Sequence, residues 1–172
     1  MILSALTIFH VLISLLGVGS GIPIVYGLLT SKRLEGWTAL FLTTTVATSV
    51  TGFFFPFHGF TPGHAVGILS LILLTFSILA RYRFALAGAW RRTYAVTAVT
   101  ALYLNVFVLI VQLFEKVPGL KALAPTQSEP PFQVTQLIAL VLFAALAILA
   151  AIKFHAEPRR PNPWMAHPAS NR

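Results

Sequence analysis

Five long apolar stretches, almost free of charge, constrain this 172-residue chain more than any other feature. A helix crosses the hydrocarbon core of a bilayer with about 20 apolar residues. Only 9% of the residues are charged and 57% are hydrophobic, unlike a soluble domain. We therefore predict an all-α, polytopic membrane helix bundle with five transmembrane helices in one domain over residues 1–153. The predicted spans cover approximately residues 3–29, 37–55, 64–80, 94–114 and 132–152.

The Lys and Arg residues predict how this bundle is oriented. With five spans, only Lys116 and Lys121 fall on one side of the membrane. Basic residues collect on the cytoplasmic side of membrane proteins, so we predict the N-terminus outside and the C-terminus inside a plasma (inner) membrane. Residues 154–172 are expected to form a disordered, Pro/Arg-rich cytoplasmic tail. The Lys and Arg residues predicted on the cytoplasmic side are Lys32, Arg33, Arg81, Arg83, Arg91, Arg92, Lys153, Arg159, Arg160 and Arg172.

Composition also limits the functions to be considered. The net charge of +8 follows from this topology, and no basic run is interleaved with aromatic residues, so we expect the bilayer and not nucleic acid as a partner. The chain has no cysteine and therefore no disulfide or thiol chemistry. Aspartate is also missing, and no serine lies near an acid–histidine pair. The sequence leaves catalysis open but favours a non-enzymatic protein.

Polar side chains recur at one height, close to the predicted outer boundary. Counting about 1.5 Å per residue from the cytoplasmic charges places each of them about 25 to 34 Å away. Asn105 lies deeper, on the same helical face as Gln112 and Glu115. We predict an outward-facing polar pocket below the proline-bounded loop 115–131, which binds a small ligand, lipid, quinone or proton in a transport or accessory role. Its predicted ligand-binding residues are His10, His64, Asn105, Gln112, Glu115, Gln133 and Gln136.

Simpler interpretations of the same residues stay open. Histidines at a membrane boundary often cap helices or bind water, and Glu115 is consistent, if anything better, with a solvated position beyond the hydrocarbon. Asn105 is either a hydrogen bond between helices or a ligand contact.

The histidines also suggest a redox alternative. His10, His58, His64 and Glu115 could together supply a metal shell by residue type. His10 and His64, on different spans at matching depth, could alternatively hold one haem b. A third hypothesis is a structural subunit, packed by glycine and threonine faces into a homo-oligomer or a larger membrane complex. The sequence favours neither a haem nor a metal ion.

Two segments resemble a known group of sequences. TSVTGFFFPF at 48–57 and NVFVLIVQLFEKVPGLKALAPTQSEPPFQVTQ at 105–136 resemble small bacterial membrane proteins that have no assigned activity. More loosely, the hydrophobic layout is similar to that of DoxX-like proteins, although a fifth span departs from their usual four. The resemblance implies a bacterial origin and assigns a role to no residue.

Overall fold

A computed structural model describes residues 2–55 and 62–155 of the chain. Within these ranges 84% of the residues are helical and no strand occurs, which confirms the all-α prediction. A π-helical segment, Leu79–Arg83, directly follows the third helix. The α-helices are α1 (Ile2–Leu29), α2 (Glu35–Gly52), α3 (Pro62–Ile78), α4 (Trp90–Lys116), α5 (Pro118–Leu123) and α6 (Pro130–Lys153).

Four of these helices are long and apolar enough to cross a membrane: α1, α3 with its π-helical extension, α4 and α6. Helix α2 coincides with the second predicted span but falls short of that composition. Its 18 residues contain six threonines and begin at Glu35. The five-span count and the orientation of the termini therefore remain predictions.

Helix α2 nevertheless runs antiparallel to α1 and α3, alongside most of the length of each. At one end Glu35 pairs with Arg81, which follows α3. At the other end His10, near the start of α1, hydrogen-bonds Thr51 in the last turn of α2. Ser49 and Ser70 join α2 to α3 between these points. Helices α4 and α6 complete the bundle, and α6 packs mainly against α4.

The ends of several helices meet at what we call the basic end, formed by residues 30–35, 79–92 and 153–155. Ser31 adopts a left-handed backbone conformation after α1, with φ of 58°. Its hydroxyl donates to the carbonyl of Lys153 at 2.7 Å and accepts from the backbone N–H of His155 at 2.9 Å. This bridge fixes the end of α6 to the turn between α1 and α2. The opposite end, which contains His10, Thr51, His64 and residues 111–133, is called the far end.

The apolar core lies in the basic half of the bundle. Its largest members include Phe41, Leu74, Tyr94 and Phe154, which are almost completely buried. Helix α4 is central, with 50% of its apolar window buried, whereas α6 has 11% buried and α1 28%. The outer faces of α1 and α6 expose long apolar side chains, which is the surface expected of helices in lipid.

The connection from α4 to α6 at the far end is more regular than a loop. Helix α4 continues to Lys116, and the short helix α5 begins at Pro118 and packs against α4. The side chain of Gln127 donates to the carbonyl of Val111 at 3.1 Å. The segment predicted as a loop over residues 115–131 is therefore attached to the side of α4.

Candidate functional site

The two described histidines of the predicted outer layer already have partners. The Nδ1 atom of half-buried His10 is 2.8 Å from Oγ1 of Thr51, and the His10 ring meets Phe55 edge-on at 5.2 Å. The His64 ring lies 5.8 Å from that of Phe53. His58 falls outside the described residues. Among the residues that the structure does describe, no group of three His, Cys, Asp or Glu side chains could hold a metal ion.

The predicted acid and the first glutamine lie on the surface of the last turns of α4. Glu115 pairs with its neighbour Lys116 at 3.1 Å, and its side chain is 47% exposed. Gln112 is exposed as well. Asn105, on the same helical face two turns earlier, is buried. Neighbouring helices therefore cover this face of α4 at Asn105 but leave it exposed at Gln112 and Glu115.

Gln133 and Gln136 anchor the start of α6. The Gln133 amide donates to the carbonyl of Ser128 at 2.8 Å, and the Gln136 amide donates to the carbonyl of Phe107 on α4 at 3.2 Å. The Oε1 atom of Gln136 is buried and has no hydrogen-bond partner among the described residues. Gln133 thus lies at the far end with the histidines and Gln136 lies about one turn further along α6, and each has its own local contact.

Asn105 belongs to a polar contact between α1, α2 and α4. Its Nδ2 atom is 3.4 Å from Oγ1 of fully buried Thr45, which makes a long hydrogen bond. Gly17 of α1 faces this pair, and a β-carbon there would lie 3.3 Å from both polar atoms and 3.4 Å from Oγ1 of Thr44. The glycine therefore provides the space in which the amide and the hydroxyls meet.

Further hydroxyl-bearing residues of α2 follow Thr45 towards the far end. Thr48 is buried, and its Oγ1 atom has no hydrogen-bond partner in the part of the chain that the structure describes. One turn further, Thr51 meets His10. We call the group formed by Gly17, Thr44, Thr45, Thr48 and Asn105 the polar seam.

A second polar cluster, not foreseen from the sequence, lies at the basic end. The Arg81 side chain is only 5% exposed, and its Nη2 atom is 2.8 Å from Oε2 of Glu35, which is 67% exposed. The buried Nε and Nη2 atoms make no aligned hydrogen bond with any described residue, so this is a charge contact. The guanidinium also lies over the ring of Tyr94, 5.4 Å from its centroid.

A small, partly open cavity adjoins this cluster. It measures about 10 Å³, the scale of a single water molecule. Thr38 lines it and lies 3.5 Å from the hydroxyl of Tyr94. The cluster can hold one small hydrogen-bond acceptor beside Arg81. Its contacts also connect α2, the π-helical segment and α4.

The sequence did contain a signal for this second cluster. Glu35 is the single acid between the basic residues Arg33 and Arg81, and Tyr94 follows one helical turn after the start of α4. From the sequence, Arg81 and the other basic residues predicted only the topology. Arg81 is buried within the π-helical turn, which the residue pattern does not reveal.

Fold and surface together define a class of protein. An all-helical bundle with four long apolar helices, exposing apolar side chains on its outer faces, is compatible with a multi-pass integral membrane protein. No protein-family model matches the chain, and neither a curated protein nor a solved structure matches it.

Proposed function

We propose that this protein is a five-span integral membrane protein of the plasma membrane that binds a small hydrogen-bonding ligand in the polar seam. The observation that supports this most is the unpartnered, buried Oγ1 atom of Thr48, near the long hydrogen bond between Asn105 and Thr45. Polar groups that lack partners are costly inside a membrane protein and commonly mark binding sites or pathways. The binding site proposed here lies more deeply than the outward-facing pocket predicted from the sequence, between α1, α2 and α4.

The five-span topology is supported by the course of α2. Since α2 lies antiparallel to α1 and α3 alongside most of their length, we expect a membrane that contains those helices to surround α2 as well. The basic end then faces the cytoplasm, in agreement with the distribution of Lys and Arg.

Access to the seam is proposed from the far, extracytoplasmic end. Beyond Thr48 in that direction stands the half-buried His10–Thr51 pair. Towards the basic end, the buried apolar side chains of Phe41, Leu42 and Leu102 close the interior. A ligand therefore meets hydroxyl, amide and imidazole groups on entering and an apolar barrier further in.

The chemistry of the seam selects the kind of ligand. Threonine hydroxyls and the asparagine amide both donate and accept hydrogen bonds, and none of the seam residues is charged. Such groups suit a neutral polar molecule, a lipid headgroup, a quinone carbonyl or a water-borne proton. Either a transport role or an accessory role is consistent with this chemistry.

The absence of cysteine allows a direct test by single-cysteine labelling. Thr48→Cys, reconstituted in vesicles, should react with a charged, membrane-impermeant thiol reagent added from the side of the far end. The matched control is Thr75→Cys, since Thr75 is an exposed threonine of α3 that bonds the carbonyl of Leu71 and belongs to no seam. We expect Thr48→Cys to react faster than Thr75→Cys. Equal rates would mean that the seam is closed to water and would contradict the proposal.

One observation favours a structural subunit as the second candidate. Several hydroxyls of the interior bond carbonyls of their own helix, among them Ser20 to Gly17, Ser49 to Thr45 and Thr51 to Ala47. Residues satisfied in this way serve close packing and need no ligand. A second membrane protein recovered in fixed ratio with the purified chain would support this role, and a stable monomer would count against it.

The redox alternative remains a prediction. It requires His10 to exchange its contact with Thr51 for a haem iron or a metal ion. An absorption spectrum and metal analysis of the purified protein test it, because a bound haem gives a Soret band.

A further inference from the structure

A groove on the surface between α4 and α6 lies next to the basic end and outside both polar clusters. Its volume is about 480 Å³. Two of the residues that line it on α6, Ala147 and Ala151, have small side chains. Five of its six lining residues are apolar, and the sixth is a cation; together they are Arg92, Val96, Ala147, Ile148, Ala151 and Ile152.

No acidic side chain among the described residues pairs with the positive charge at the rim of this groove. Arg92 is exposed, and the ion pairs found among the described residues join other partners, Arg81 with Glu35 and Lys116 with Glu115. Arg92 also lies in the first turn of α4, which has no side-chain cap from any described residue. The N-terminus of a helix has a partial positive charge and free N–H groups, so it adds to the attraction for an anion.

We propose that this groove binds an anionic phospholipid, with the phosphate at Arg92 and one acyl chain along the walls formed by α4 and α6. An apolar groove with one cation at its rim is complementary to an amphiphile that has a single anionic group. The apolar walls would gain nothing from a free phosphate ion. A protein helix of ordinary membrane composition, in turn, would leave Arg92 without an anion.

This site differs from the general attraction of basic residues for anionic lipid. Arg83 is exposed at the same end of the bundle, near Phe84, yet it does not line the groove. The two arginines therefore separate the specific site from the overall positive charge, since neutralising either one changes the net charge equally.

The test measures lipid binding to the purified full-length protein in detergent. Native mass spectrometry, with titration of phosphatidylglycerol or of phosphatidylcholine with the same acyl chains, gives apparent dissociation constants. We expect the protein to prefer phosphatidylglycerol, and Arg92→Gln to weaken that binding about five-fold, the effect of one basic residue at a charged lipid surface. Arg83→Gln should change it much less. An equal loss in both variants, or equal binding of the two lipids, would overturn the proposal.

Two further measurements test the acyl-chain part. Ala147→Leu and Ala151→Leu each fill the groove without changing charge, and both should weaken phosphatidylglycerol binding in protein whose melting temperature is retained. Glycerol phosphate, which has the headgroup chemistry but no chains, should not compete. Unchanged lipid binding in a folded Ala151→Leu protein, or full competition by glycerol phosphate, would show that no chain occupies the groove. The experiment depends neither on the polar seam nor on the orientation of the protein.

Discussion

Helices α2 and α6 differ in an unexpected way: the more polar helix, α2, is the more buried, and the more apolar helix, α6, is the more exposed. Helix α6 is the most apolar of the four membrane-crossing candidates, yet only 11% of its apolar window is buried in the protein. Helix α2 is rich in threonine, and Thr38, Thr44, Thr45, Thr48 and Ser49 are all buried. In a water-soluble protein the apolar helix would be inside. This inverse relation is the one expected of a bundle surrounded by lipid, in which polar side chains are shielded between helices.

The largest expected effect comes from placing a charge on α6. Val141 is 60% exposed, and in water Val141→Arg would be nearly neutral. In a bilayer an arginine at the centre of a helix costs about 3 kcal/mol on insertion scales. We expect a lower fraction of the Val141→Arg protein in the membrane, measured by fractionation and protease protection.

Leu123→Arg is the matched control for this prediction. Leu123 is 58% exposed but lies on α5, outside the four membrane-crossing candidates. Its replacement should leave membrane integration unchanged. If both variants integrate normally, α6 is not surrounded by lipid and the comparison with α2 loses its meaning.

A smaller effect, on stability, is expected from substitutions that distinguish the packed face of α1 from its exposed face. A β-carbon on Gly21 would lie 2.3 Å from Cδ1 of buried Leu102, whereas none of the described atoms lies within 4 Å of one on Gly19. Gly21→Ala forces Leu102 to move and should destabilise the protein by about 1 to 3 kcal/mol, as overpacking does. Gly19→Ala should be neutral or stabilising, by up to about 1 kcal/mol through helix propensity. Thermal unfolding in detergent measures both, and equal effects would show that α1 and α4 do not pack in this way.

The polar seam itself should contribute modestly to stability. Thr45→Val removes the partner of Asn105, and hydrogen bonds between membrane helices average about 0.6 kcal/mol. Thr75→Val, on the exposed face of α3, should have no measurable effect. The same unfolding assay compares the two. A larger loss in Thr75→Val than in Thr45→Val would be evidence that α2 is not the polar centre of the bundle.

The smallest effect is expected at the turn that precedes α6. Hydrogen bonds, and not burial, stabilise this turn. Desolvation acts to raise the pKa of the Glu129 carboxyl, but hydrogen bonds from Thr126 and Ser128 outweigh it and hold that pKa below its ordinary value of 4.5. Because the pKa is lowered in the folded state, this carboxylate stabilises the turn at neutral pH. That contribution is lost as the pH falls through the folded-state pKa.

Amide exchange of Thr126 and Ser128 measures this local order. Exchange, corrected for its intrinsic pH dependence, should show less protection below pH 4.5 than at neutral pH. Glu129→Gln should show the weaker protection at both values. Protection that is independent of pH in the unmodified chain would mean that the carboxylate does not hold the turn.

The positions of the helices were predictable from the sequence because lipid-facing residues form long apolar stretches. The ends were predicted within a few residues, since charges and prolines limit each stretch, as at Pro130. The helix α5 was not predicted, because its six residues are too few to show a periodic pattern. The burial of Arg81 could not be predicted either, since a π-helical turn changes the register by which faces are counted.

In the candidate site, the position of a residue along the bundle was predictable from the sequence, but the direction of its side chain was not. Counting residues placed Gln112 and Gln136 near one end of the bundle, because the rise of a helix is constant. It could not show that Gln112 is exposed while Gln136 reaches α4, since that depends on which neighbour covers each turn. The seam was only partly predicted. Asn105 was recognised as a polar group needing a partner, but the space beside Gly17 depends on how α1 and α4 approach each other.

The tight connection between α1 and α2 has a consequence for biogenesis in the proposed topology. Gly27 lies so close to the Lys32 carbonyl that a β-carbon there would be 2.9 Å from it, so the two helices leave the turn already side by side. A threonine-rich segment partitions poorly from the translocon by itself. Paired with α1, it presents its hydroxyls to a neighbour and to its own carbonyls, so the two can enter the bilayer together as a helical hairpin.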